Sequence, residues 1–141
     1  MNWTPEEFKA YAQKRLKGDA PVRKKLMGDG LKRAFAATKG YSIPVVTAFF
    51  REHGIAEPIY EFQFCPDRRF RFDLAWIPQK LYLECQGGLF SGGAHVRGAA
   101  LLREQEKRNL ATSLGWRGLW CTPQTLTTHE TAALVHKCLN L

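Results

Sequence analysis

The sequence predicts an α/β domain whose core runs helix, three strands, helix, strand. Two observations carry that expectation. Between residues 60 and 86, apolar and polar residues alternate in three short runs separated by turn residues. That is the period of a strand with one face buried. Past a glycine-rich stretch, residues 97–114 change to helical spacing, and a short apolar run, 116–121, follows Gly115. A meander pairs its strands antiparallel, and a crossover helix lets the fourth strand pair in parallel, so the sheet is expected to be mixed and four-stranded.

Each element has its own signals. Thr4-Pro5-Glu6-Glu7 reads as a helix start, with a capping threonine, proline at the first position and acids at the positive end of the dipole. Phe8, Tyr11, Ala12 and Leu16 keep helical spacing up to Gly18. A second helix over 21–38 is weakened by Gly28 and Gly30. Residues 1–40 are therefore taken as a basic, partly helical N-terminal arm, and 41–141 as the domain. After the break at 40–44, Val45 to His53 suits a short helix stopped by Gly54. Tyr60–Phe64, Arg69–Trp76 and Leu81–Gln86 form the meander, with turns at Asp67-Arg68 and Pro78-Gln79-Lys80. Gly87-Gly88 and Gly92-Gly93 bound a loop. Arg97–Leu114 is the crossover helix, Trp116–Cys121 the fourth strand and residues 129–139 a closing helix.

Composition narrows the class. A chain of 141 residues suits one domain and can bury a core without a disulfide or metal staple. Its 17 aromatic residues argue against disorder, no apolar run is long enough to cross a bilayer, and the first residues carry no apolar signal region. A cytoplasmic protein with no membrane partner is expected. None of Cys65, Cys85, Cys121 and Cys138 has CxxC spacing, and buried free thiols are expected. The formal net charge is +8, and residues 1–33 hold nine Lys/Arg against four Asp/Glu. That balance favours a polyanionic partner, nucleic acid first, with Arg23, Lys24 and Lys25 as the densest contact run. A merely solvated basic surface is the alternative.

Alternation sorts the strand residues by face. In the second strand Arg69, Arg71 and Asp73 should share one face, and Phe70, Phe72 and Leu74 the other. In the third, Leu81, Leu83 and Cys85 oppose Tyr82, Glu84 and Gln86. Glu61 and Gln63 go together in the first strand. On neighbouring strands Glu61, Asp73, Glu84 and Gln86 can then converge on one polar patch. Two carboxylates with room for water suit Mg²⁺, which takes one or two protein ligands plus phosphate oxygens.

Those residues carry a resemblance. Asp73-x₁₀-Glu84-x-Gln86, set in Arg69-Phe-Arg-Phe-Asp-Leu-Ala-Trp and Leu-Glu-Cys-Gln-Gly-Gly, resembles the PD-(D/E)XK nuclease superfamily. It is closer to small phage and bacterial endonuclease-like proteins reading RFDFAW…VEVDGG…GGRHTRG…GWRVLRF. The later matches are Gly92-Gly93-Ala94-His95-Val96-Arg97-Gly98, Glu106-Lys107-Arg108-Asn109 and Leu114-Gly115-Trp116-Arg117. The likeness spans about 45–126 and leaves out residues 1–40.

The resemblance implies an αβββαβ restriction-endonuclease-like core, the order read independently above. It implies Mg²⁺-dependent hydrolysis of DNA phosphodiester bonds, with Mn²⁺ as a substitute ion and branched or structured DNA among the substrates. The host compartment would be bacterial or phage-infected cytoplasm, and a homodimer is compatible. Asp73 and Glu84 would hold the metal. The position that usually carries lysine is Gln86, which can orient water but brings no charge. Lys107 is the candidate replacement: Ala100, Glu104, Lys107, Ala111 and Leu114 form one helical stripe. An exposed Glu104–Lys107 pair is the alternative. Glu61 is the candidate extra acid, better placed than Glu52, with a Glu61–Arg71 ion pair as its bland reading. Arg71, His95 and Arg97 are candidate phosphate contacts. A chain that keeps the fold and binds nucleic acid without cutting it is the competing reading, favoured by Gln86.

Overall fold

The computed structural model describes residues 40–87 and 94–141, with backbone alone at 94–97. Their elements are α1 (Ile43–Glu52), β1 (Ile59–Gln63), β2 (Arg71–Trp76), β3 (Leu81–Cys85), α2 (Ala94–Ser113), β4 (Arg117–Cys121) and α3 (His129–Leu139). The strands lie in the order β1-β2-β3-β4. β1/β2 and β2/β3 are antiparallel, and β3/β4 is parallel across the α2 crossover. The mixed four-stranded sheet agrees with the sequence reading. The arm with Arg23, Lys24 and Lys25 lies outside the described residues, as do Gly88, Gly92 and Gly93.

Local chemistry sets the element ends. α1 begins two residues before the expected Val45, because Pro44 falls in the first turn, where a missing N–H costs no hydrogen bond. It stops at His53, whose Nδ1 lies 2.8 Å from the Phe49 carbonyl, and Gly54 follows at φ 68°. α2 begins at Ala94, three residues earlier than expected. The backbones of His95 and Arg97 are therefore in its first turn rather than in a glycine-rich loop. Thr128 caps α3 by accepting from the Thr131 amide.

Both faces of the sheet are covered. On one, Val46 and Phe50 of α1 and Ala132 and Val135 of α3 pack on Leu74, Trp76, Leu81, Leu83, Cys85 and Cys121. On the other, Ala111 of α2 packs with Phe62, Phe64, Phe70, Phe72, Ala75, Tyr82 and Trp116. Here Phe64, Phe72 and Tyr82 form a stacked column, with ring centroids 4.1 and 3.9 Å apart. Tyr82 stands against Gly118, its neighbour in register on β4, and a Cβ on that glycine would collide with the phenol. Trp76 and Trp116 are core residues, whereas Trp120, where a core role also suits the sequence, is 43% exposed and lies edge-on to Tyr82.

One expectation about faces fails. Phe70 and Phe72 lie on the α2 face, yet Leu74 lies on the α1/α3 face. The alternation slips by one residue at Asp73, and β1 slips beside it, with Tyr60 on the α1/α3 side and Phe62 on the α2 side. Glu61, between them, has φ 51°. A left-handed glutamate re-aims the strand at a cost of about 1–2 kcal/mol. The register runs Tyr60↔Leu74 and Phe62↔Phe72, so both strands change phase together around Glu61 and Asp73. No pattern of apolar and polar letters announces that slip. β3 keeps strict alternation, with Leu81, Leu83 and Cys85 opposite Tyr82, as expected.

Candidate active site

The β2/β3 register brings Asp73 opposite Glu84. Leu74 pairs with Leu83, so Asp73 and Glu84 are the next positions on the two strands. At this point a side chain joins the ladder. Asp73 Oδ2 accepts the Cys85 backbone N–H at 2.8 Å, which fixes the rotation of the carboxylate beside Glu84. Both carboxylates are buried, at 3% and 7% exposure. Buried carboxylates require partners.

Lys107 supplies one. Its ammonium makes an ion pair with Glu84 Oε1, and the two side chains are about one-tenth exposed. The expected stripe on α2 explains the reach: Ala111 is fully buried against the sheet, and Lys107, one turn before it, points to the same side. Lys107 Nζ also lies 5.8 Å from the Phe72 ring centroid. The alternative of an exposed Glu104–Lys107 pair fails, since Lys107 is buried and its partner is on the sheet.

The electrostatics follow. Burial and then the neighbouring Asp73 carboxylate push Glu84 up to about 8, while the charge and hydrogen bond of Lys107 pull the other way. Burial first, and then repulsion by a second buried carboxylate, favour the protonated form of Glu84. Tyr41, just before α1, feels the same cluster. Burial, then Asp73 and Glu61, hold its phenol well above the usual range. Cys121 opposes Cys85 in register; the hydrogen-bonded Cys85 thiol and then burial hold it protonated. All four cysteines are free.

Of the expected site residues, Asp73, Glu84 and Lys107 come together, and Glu61 lies across from Asp73 on β1. Gln86 is half-buried just past β3, where its N–H donates to the Cys121 carbonyl at 2.8 Å. Arg71 is exposed at the start of β2, and Glu52 is exposed at the end of α1. The side chains of His95 and Arg97 lie outside the described residues. Sequence reasoning missed Tyr41 and the Cys85 amide. The first sits in a bend with no periodicity, and the second is backbone, invisible in a reading of side chains.

Among the described residues no group of three or more His, Cys, Asp and Glu side chains is arranged as a metal cage. A hard cation such as Mg²⁺ does not need one, since it keeps waters and binds through one or two carboxylates. Asp73 and Glu84 fit it in donor type and in charge: they crowd negative charge that a cation would relieve. Among the described residues no helix is long and apolar enough to cross a membrane. Compared with protein-family models, with curated proteins and with solved structures, the chain matches none.

Proposed function

We propose that the chain is a Mg²⁺-dependent endonuclease that hydrolyses DNA phosphodiester bonds, built on a restriction-endonuclease-like core. The observation that carries the reading is the buried contact of Asp73 and Glu84, with the Lys107 ammonium seated on Glu84. Asp73 and Glu84 would hold the ion, which supplies polarisation of a phosphate oxygen and a lower pKa for bound water. The chain's own parts have distinct tasks. The Cys85 amide orients Asp73. Lys107 keeps a positive charge at the carboxylates and can move it toward a phosphate oxygen as charge develops there. Gln86 orients water without adding charge. Glu61, opposite Asp73, adds to the negative field that attracts a cation.

A second reading has its own observation. Lys107 already neutralises Glu84, and Gln86 brings no second cation, which suits a nuclease-like fold that binds nucleic acid and does not cut it. The experiment uses the full chain and duplex, single-stranded, flap and four-way DNA with Mg²⁺, Mn²⁺ or EDTA. The nuclease reading expects metal-dependent cutting. It also expects Asp73→Asn to slow single-turnover cleavage by about 10²-fold or more, with DNA binding in EDTA nearly unchanged. Mg²⁺ should also raise the melting temperature of the native chain and not of Asp73→Asn. Full cleavage by folded Asp73→Asn would remove Asp73 from the site, and binding without cutting or Mg²⁺ stabilisation would leave the second reading.

A further inference from the structure

An open cavity of about 570 Å³ lies between the β1–β2 turn and the N-terminal half of α2. Arg68, Arg69, Arg103 and Glu106 line it, with Phe70 and Leu102. Three guanidiniums against one carboxylate leave it strongly positive. Arg68 and Arg103 are held rather than loose. Arg68 sits 4.7 Å and Arg103 5.7 Å from the centroid of the Phe70 ring. Phe70 is itself 5% exposed, so it serves as a platform for the cations and not as a surface for a ligand. The Gln63 side-chain amide donates to the Cys65 and Arg68 carbonyls at 3.1 and 3.0 Å, which fixes the turn. Arg68 makes a half-exposed ion pair with Glu106, and Arg69 is exposed.

The cavity is aligned with the buried carboxylates. Arg103 and Lys107 are four residues apart on α2, about 6 Å along its axis. The first stands against Phe70, just before β2, and the second against Phe72, two residues on within it. A chain of negative charges laid along this face meets the arginines first and Lys107 next.

We infer that this cavity is a phosphate subsite for a nucleic-acid strand whose next phosphate reaches the Asp73–Glu84 centre, an inference that rests on the nucleic-acid reading above. The chemistry selects the ligand. Planar guanidiniums fork onto phosphate oxygens, and an open positive cleft beside an acidic centre admits a polyanion that passes through. Glu106 is a built-in competitor that holds Arg68 until phosphate displaces it.

The test measures binding without turnover, in EDTA, by fluorescence anisotropy of labelled duplex and single-stranded DNA across a salt series. Arg69→Ala/Arg103→Ala in the full chain should lower the magnitude of the log–log salt slope on duplex by about 1.8, at about 0.9 per lost phosphate contact. Arg69→Ala alone, exposed and outside the ion pair, should lower it by about 0.9. Glu106→Gln frees Arg68 and should tighten binding several-fold. Arg51→Ala, on α1 across the sheet, should change neither slope nor affinity. Unchanged slope and affinity in a double variant that melts like the native chain would overturn the subsite. So would full displacement of DNA by millimolar inorganic phosphate, or equal competition by polyglutamate, since both would mean a general anion patch. Because no metal or cutting is involved, an inactive chain with the expected slopes keeps the subsite and loses the nuclease reading. An active chain with unchanged slopes does the reverse.

Discussion

The two faces of the sheet are built from similar apolar letters and treat charge in opposite ways. Under α1 and α3 the core is aliphatic and aromatic: Val46, Phe50, Leu74, Trp76, Leu81, Leu83, Leu126 and Val135 are buried together. Under α2 an aromatic column stands beside Lys107 and Glu84, and Asp73 sits at the slip between the faces. Those three are the buried charged residues among the described ones. The dry face needs only volume and shape. The α2 face holds groups whose desolvation is offset by each other, an arrangement more often kept for chemistry than for stability.

The largest effect that could break this comparison comes from paired truncations. Lys107→Ala removes the ammonium from Glu84 and leaves two buried carboxyls in contact. At pH 9 it should cost about 3–5 kcal/mol, and far less at pH 5, where Glu84 is protonated with or without Lys107. Leu83→Ala on the dry face should cost about 2–5 kcal/mol through its cavity, equally at both pH values. Urea unfolding of both variants at the two pH values decides. Equal losses for Lys107→Ala at pH 5 and 9 would make the Lys107–Glu84 pair a spectator.

A smaller effect sharpens it through glycine. Gly118 has no room for a side chain, because Tyr82 and Trp120 fill the space. Gly118→Ala pushes Tyr82 off its stack on Phe72 and should cost about 1–3 kcal/mol. Lys107 lies over the same Phe72 ring, so cleavage or Mg²⁺ stabilisation should weaken as well. Gly54 ends α1 at φ 68°, and a Cβ added to it would meet nothing within 4 Å. Gly54→Ala should therefore cost about 1 kcal/mol from backbone strain alone, with the α2 face untouched. Thermal melts with and without Mg²⁺ separate the two outcomes.

How much of this is legible in the sequence depends on the length of the signal. Strand order, parallel pairing and the α2 stripe follow from periodicity and connection length, which act over whole elements. Lys107 facing the sheet is readable because Ala111 and Leu114 fix the buried side of the helix. The Asp73–Glu84 contact follows from spacing across one tight turn. The slip is not readable, because one left-handed residue, Glu61, changes the phase of two strands while every letter still fits either face. The arginine cavity is hidden for another reason. Arg68, Arg69 and Arg103 come from a turn and a distant helix, and the Phe70 platform and the Arg68–Glu106 ion pair bring the two together. Alternation puts Arg69 on a strand face and has nothing to say of Arg103.

The last test isolates a single proton. Glu84 titrates at about 8 in the folded chain, against 4.5 when exposed. Between those values the folded chain keeps a proton that the unfolded chain has released. Stability is therefore greatest below about 4.5 as far as this group is concerned, and falls as pH rises toward 8. Above 8 both states are ionised and the loss stops growing. Glu84→Gln removes the titrating group, so its stability profile from pH 5 to 9 in EDTA should lack that decline. Leu83→Ala should lie below the native profile and parallel to it. Mg²⁺ should restore native stability most at the alkaline end, where Glu84 is ionised and can hold it, and should do little for Glu84→Gln. Urea midpoints across the pH series measure all of this. If the native and Glu84→Gln profiles run parallel, Glu84 ionises like a surface carboxyl, and the α2 face differs from the other in shape but not in charge.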